Sequence, residues 1–293
     1  MDFVQALQAV GIVPPLHIPS DGRVVRCKTT DHPHKKNGAF AFHGDWGWFQ
    51  NWATMQEAQI WQSEKPMTEA RKREIQKEQV ELQAKAKKAR ADATDRLACW
   101  FKALPIKPIT SDYLVRKGLS NLGLNRVRMD GEDFIVPVYR NEKLITVQRI
   151  TPAGEKKFAF GCSSKGGYFV IGNKSDLTVF AEGFATGLAI YQAIRNCRVV
   201  VCFSAGNMPK VASDWMAQNK VKGLTVVACD NDYQTSNNAG ITFGKQAAEI
   251  IGCNAVYPQG ISGTDYDDAL RDDSWGGVAQ LKKELLVGAK MVF

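Results

Sequence analysis

Residues 177–204, LTVFAEGFATGLAIYQAIRNCRVVVCFS, together with residues 224–232, LTVVACDND, decide the fold. LTVFAE and RVVVCFS are short, continuous apolar runs rich in β-branched residues, the pattern of strands buried on both faces. FATGLAIYQAI between them is long enough for a crossover helix. The alternation continues through a helix over MPKVASDWMAQ, the strand LTVVACD, a helix over NAGITFGKQAAEII and the strand NAVYP. Such a series predicts an α/β domain, a parallel sheet with helices on both faces, whose site lies at the carboxyl ends of the strands.

Acidic residues fall at those ends. Glu182 closes the first strand and Asp230 and Asp232 close the third, so the topology carries carboxylates from different strands to one rim. Asp265, Asp267 and Asp268 follow the fourth strand after YPQGISGT and can reach the same place; Asp267 is expected to be exposed. Crowded carboxylates raise one another's pKa unless a cation neutralises them, and hard oxygen ligands favour Mg2+ or Mn2+. Such ions activate an attacking hydroxyl and stabilise a leaving phosphate oxygen. Gly183, directly after Glu182, allows a tight turn and close approach of a phosphate to the next helix. The competing reading makes these acids ordinary strand-end and helix-cap residues. The joint occurrence of strand-Glu-Gly, strand-Asp-x-Asp and strand-loop-Asp-x-x-Asp weighs against it.

Upstream the texture differs. KPITSDYLVRKGL predicts a short helix, and DFIVPVYR, KLITVQRI and KFAFG predict antiparallel strands with turns at 140–143 and 152–155. Before them lies a charge-dense helical stretch with nine Lys/Arg between Lys65 and Arg90 against Glu69, Glu74, Glu78 and Glu81, a local balance of +5. Its apolar content is thin, as in a solvated linker helix. The first residues form a short amphipathic helix, followed by VVRCKT, GAFAFHG and GWFQNW, which predict a small β-rich module. The expected division is therefore a β-rich module over 1–62, a charged helical linker over 63–104, a basic α+β subdomain over 105–175 and the α/β domain over 176–293.

The net charge of +8 is uneven, with Lys and Arg crowding the first two thirds, and suits a polyanionic partner. Seven cysteines without a CxxC pair, several inside apolar runs, read as buried, reduced thiols of a cytoplasmic protein. MDFVQALQAVGIVPP has no basic leader region and no long apolar core, so neither export nor membrane insertion is expected.

The motifs FAEGFATGLA, VVACDND and GTDYDDAL resemble the three acidic motifs of the Toprim domain shared by topoisomerases and primases. The resemblance implies a catalytic acid or base at Glu182 and metal ligands at Glu182, Asp230 and Asp232. Asp265 and Asp268 match the last motif in its plasmid and phage primase form and are implied as further ligands. DFIVPVYRNEKLITVQRITPAGEKKFAFG is similar to the basic subdomain that precedes Toprim in bacterial-type primases, and the resemblance covers roughly residues 100 to 290. In those enzymes the subdomain holds template and incoming nucleotide, which implies phosphate-binding roles for Arg140, Arg149, Lys156, Lys157 and Lys165; the competing reading makes each a solvated strand end. The implied activity is that of a DNA primase, a metal-dependent nucleotidyltransferase making short RNA primers from nucleoside triphosphates on single-stranded DNA. A Toprim nuclease and a non-catalytic single-strand-binding protein are the alternatives. Nothing resembles the separate topoisomerase domain that supplies a strand-cleaving tyrosine.

Primases of this type often carry an amino-terminal zinc ribbon. Cys27, His32, His34 and His43 lack the paired spacing a ribbon needs, so no zinc is expected. The module offers Arg23, Arg26, Lys28, Lys35 and Lys36 beside Trp46, Trp48, Phe49 and Trp52; such aromatics either stack unpaired bases or form a core. GITFGK is one residue short of a Walker loop, precedes Gln246 rather than Ser or Thr, and falls inside a helix. With no ATPase engine, unwinding would come from a partner, such as a separate helicase or replication initiator, or the template would already be single-stranded. SSKGG at 163–167 has turn composition, and SAGN at 204–207 borders the expected rim without an assigned role.

Overall fold

The computed structural model describes residues 1–293 except 56, 64–68, 107–110, 123, 219 and 235–236. These fall into two compact units, Met1–Ala84 and Lys85–Phe293. The residues that open the charged stretch, 64–68, and the KPIT of the expected short helix lie outside the described residues.

In the first unit, helix α1 (Phe3–Ala9) starts in a capping box in which Asp2 and Gln5 satisfy each other's backbone N–H groups. It packs on an antiparallel sheet ordered β1 (Val25–Cys27), β2 (Gly38–Phe42), β3 (Trp46–Asn51), β4 (Gln59–Gln62). The Phe3 ring stacks on Phe42 and meets Phe40, Phe49 and Trp61 edge-on. Phe49 is therefore core, whereas Trp46 stacks on His43, and Trp52 is 56% exposed with the Arg26 guanidinium over its ring. Cys27 is buried and His32 bonds Asp31.

Helix α2 (Glu69–Ala103) is solvated over 80–92, as its composition predicts, but its last turns are not. Leu97, Trp100 and Phe101 pack on Ile135 and Val147 of the next sheet, so apolar spacing confined to the final turns makes a core element of the helix end. After α3 (Asp112–Arg116), an antiparallel sheet runs β5 (Arg128–Asp130), β6 (Asp133–Arg140), β7 (Lys143–Ile150), β8 (Lys156–Phe158). Asn141 and Glu142, both at positive φ, form the tight turn between β6 and β7.

The second sheet takes β9 (Phe169–Ile171), β10 (Leu177–Ala181), β11 (Arg198–Val201), β12 (Gly223–Ala228), β13 (Asn254–Val256) and β14 (Lys290–Val292) in the order β13-β12-β10-β11-β9. The four strands read from the sequence are parallel to one another. β9 and β14, not foreseen, are antiparallel; β14 shares the outer edge of β12 with β13, end to end. Along the continuous apolar strands, alternate residues serve opposite layers. Val179, Ala181, Val199 and Val226 face a core built with α4 (Phe184–Ile194), α7 (Tyr266–Arg271) and α8 (Gly277–Gly288). Phe180, Val200 and Val227 face α5 (Met208–Ala217) and α6 (Ala239–Ile251). The first of these cores also takes Phe134, Val136 and Ile150, and Tyr139 bridges Tyr168, which couples the two sheets of this unit. Among the described residues no helix is long and apolar enough to cross a membrane.

Five cysteines are buried, as expected, but Cys99, although it lies in the run LACWF, is exposed on α2, and Cys162 is half-buried in a loop. Helix α6 is seated by glycines. A Cβ at Gly240 would stand 2.2 Å from the Asp230 carbonyl oxygen, and one at Gly244 would stand 2.1 Å from Cys229 Sγ. Gly240→Ala is expected to cost about 1–3 kcal/mol, the usual range for overpacking, by pushing α6 off the Asp230 loop. A thermal melt checks it, with Gly252→Ser, where open space surrounds the site but φ is positive, giving the cost of strain alone.

Candidate metal and phosphate site

Three strand ends bring the acids together. Glu182 follows β10, and its main-chain carbonyl accepts the Phe203 N–H across from β11 at 2.7 Å. Its carboxylate accepts the Ala205 N–H, from the SAGN segment to which the sequence assigned no role. Gly183 has an ordinary φ of −91°, so the turn does not use glycine's left-handed freedom; it caps α4 without a side-chain bond, leaving the first turn's N–H groups open. Asp230, Asn231 and Asp232 follow β12. Asn238, held at φ 33°, accepts the Asp232 N–H and donates to Asn231, while Asn231 donates its main-chain N–H to Thr264 and its side chain to Pro258. These bonds tie the loop after β12 to the loop that carries Asp265.

Charge in this cluster is poorly compensated. Burial raises the Asp230 carboxyl well above its usual range, and Glu182, Asp265 and Asp232 push it further, with Lys156 opposing them. Glu182 is raised mainly by burial, with Asp232 and Asp265 adding to it against the Ala205 bond and Lys156. Asp265 is raised by burial despite its bond to the Asp268 N–H. Among the described residues, Glu182 Oε2 and Asp230 Oδ1 are buried without any hydrogen-bond partner. Two orphaned carboxylate oxygens, from strands paired side by side, are the donors a hard divalent cation takes, so the residues present fit one.

The late acids divide. Asp265 caps α7 and couples to the cluster. Asp268 accepts from Thr264 N–H and Arg271. Asp267, expected exposed, is 1% exposed and paired with Lys117 at 2.5 Å and Arg271 at 2.9 Å. Helix α7 turns it inward toward α3, where a cation 150 positions away meets it, and no local signal marks that pairing. Asp265, Asp267 and Asp268 offer oxygens within 4.8 Å of one another, but two of the three already face protein cations.

Strand alternation also splits the basic residues. Lys156 pairs in register with Ile150, and Phe158 with Gln148. That face looks to the acidic rim, where Phe158 meets Phe203 with ring centroids 5.9 Å apart. Arg149 and Lys157 pair with each other on the opposite face. Arg149 is committed to Asp130 and Asp133, and Lys157 bonds Glu155. Arg140 donates to the Lys165 carbonyl at the loop 163–167. That loop is pinned by Asn207, a buried residue whose amide bonds Gly166, Gly167 and Cys202. Of the five cations, the fold thus brings Lys156 to the carboxylates and sets Arg140 and Lys165 together elsewhere.

A carboxylate whose folded pKa is raised contributes stability below its unfolded value near 4, lost as pH rises through the folded value. In EDTA the melting temperature is expected to fall as pH rises from about 5 to about 8, and millimolar Mg2+ or Mn2+ to restore it. Asp230→Asn should flatten the decline, melt a few degrees higher than the parent at neutral pH, and lose most of the metal response. Differential scanning calorimetry at the two pH values checks each arm.

The Toprim domain family model matches residues 178–274. No curated protein matches the sequence. Among solved structures, the chain is similar to one from bacteriophage T7, a lagging-strand DNA polymerase interacting with primase domains of two gp4 subunits bound to an RNA/DNA hybrid and dTTP. The two share 12% identity, with 61% of this chain and 87% of that chain covered and a TM-score of 0.41. A DnaG primase catalytic domain bound to single-stranded DNA is similar at the same identity and TM-score, covering 70% of this chain and 85% of that one. The motifs that carry Glu182, Asp230, Asp232, Asp265 and Asp268 all fall inside the matched residues, and the match over 178–274 bears out the resemblance to the Toprim domain.

Proposed function

We propose that this protein is a primase-like nucleotidyltransferase that makes short RNA primers on single-stranded DNA from nucleoside triphosphates. The observation that carries the reading is the convergence of Glu182, Asp230, Asp232 and Asp265 at one rim, with two orphaned carboxylate oxygens and Lys156 set against them. Glu182, Asp230 and Asp232 would hold Mg2+ or Mn2+, with Asp265 closing the site; Asp268, engaged by Arg271, is the weaker candidate. Such a cation, when bound, acidifies a hydroxyl and offsets phosphate charge. Glu182, raised by burial, is suited to take the proton of the attacking 3′-hydroxyl. Lys156 supplies a positive charge for the triphosphate from the facing sheet, and Arg140 and Lys165 form a separate contact point for a strand.

The remaining assignments follow the same reading. The β-rich module over 1–62 handles single strands through Trp52 and Arg26, and 105–175 is the basic subdomain of the catalytic core. A separate helicase or replication initiator provides the open template, and the protein works in the cytoplasm.

With single-stranded template, ribonucleotides and Mg2+, the protein is expected to yield short oligomers, and Asp230→Asn or Glu182→Gln to reduce the yield by at least about 100-fold. Absence of oligomers with the parent protein overturns the proposal. Cleavage of the template without triphosphates assigns the same carboxylates to a nuclease, and binding without chemistry assigns a single-strand-binding protein. Lys156→Ala is expected to raise KM for nucleotide by about tenfold, the loss of one charge-assisted contact, and Lys157→Ala to leave it unchanged, since the two face opposite sides of β8.

A further inference from the structure

A cavity of about 640 Å3 lies between the end of α2, the β5–β6 edge, β9 and α5, and none of the clustered carboxylates lines it. Arg198 on its wall stands in register with Thr178, four residues before Glu182. Roughly 13 Å of strand therefore separates it from the acidic rim.

The charge in this cavity is one-sided. Arg126, Arg128, Lys174, Arg198 and Lys220 line it, against the single carboxylate of Glu142. Among the described residues the first four make no ion pair, and Lys220, which also donates to the neutral Tyr168 hydroxyl, pairs with Glu142 at 3.9 Å, whose side chain is 87% exposed. Arg128 and Arg198 are half-buried, each with an Nε that has no partner among the described residues. What holds them is neutral: Arg198 lies 5.0 Å over the Trp215 ring and donates to Thr178 Oγ1 and the Lys220 carbonyl, and Arg128 lies 5.7 Å over the Phe101 ring. Partly buried guanidinium groups are costly without a counter-charge, and no described residue pairs with these two. Fixed guanidinium forks match phosphate oxygens.

The geometry points to a second nucleotide site in this cavity, one that binds the phosphates of a phosphorylated nucleoside on its cations and the base against Tyr139, Asn125 and Asn173. The volume is that of a single small ligand rather than of a track for a strand. This site goes beyond the proposed primer synthesis and does not rest on it, because it needs no divalent ion.

That independence makes the test. The full chain in excess EDTA, which strips the carboxylate cluster of metal, is titrated with ATP and followed by calorimetry and by tryptophan fluorescence, with Trp215 on the cavity wall. ATP is expected to bind, and Arg126→Ala combined with Lys174→Ala to weaken it about tenfold or more; both side chains are exposed, so the fold should survive. Asp230→Asn should leave the affinity as it was. No ATP binding in EDTA, or binding weakened by Asp230→Asn but not by the paired substitution, overturns the site. Inorganic tripolyphosphate binding as tightly as ATP, or a thymidine oligonucleotide binding more tightly and displacing it, overturns the nucleoside assignment.

Discussion

Like charges held together out of water are the constraint on which the rest of this protein turns. Parallel strands end at the same level, so acids that close β10 and β12 meet whether or not they attract. The fold accepts this repulsion and spends tertiary contacts on keeping it in place: the Ala205 N–H on Glu182, the Asn231–Asn238 pair beneath Asp232, and the glycines that let α6 sit against Asp230. Two carboxylate oxygens are nonetheless left without partners in a buried position. A protein that only needed stability would have filled those positions with apolar or amide side chains.

The same logic, with the sign reversed, appears around Arg198 and Trp215. There the cations are packed on ring faces and carbonyls instead of carboxylates, so their charge remains available. Elsewhere in the unit, opposite charges that meet are quenched: Arg149 by Asp130 and Asp133, Asp267 by Lys117 and Arg271. Charge left uncompensated in two places, and compensated between them, separates surfaces suited to ligands from contacts that hold the subdomains together.

The sequence by itself determined the sheet. Continuous apolar runs of LTVFA, RVVV and LTVVA cannot be solvated on either face, and the first and third are closed by acids at their strand ends, so both the order of these strands and the identities of Glu182, Asp230 and Asp232 were legible. The antiparallel edges were not. FVI and KMV are too short to carry a period, and their pairing is set by which edges remain open once the longer strands are placed.

Only the tertiary structure decided what the other charges do. Whether Lys156 or Lys157 faces the rim depends on the register of β8, and a shift of one residue would exchange them. Asp267 reads like Asp265 and Asp268 in the chain, yet helical rotation buries it against a lysine 150 positions away. Side-chain direction and long-range partners are products of packing, and local sequence carries no record of them.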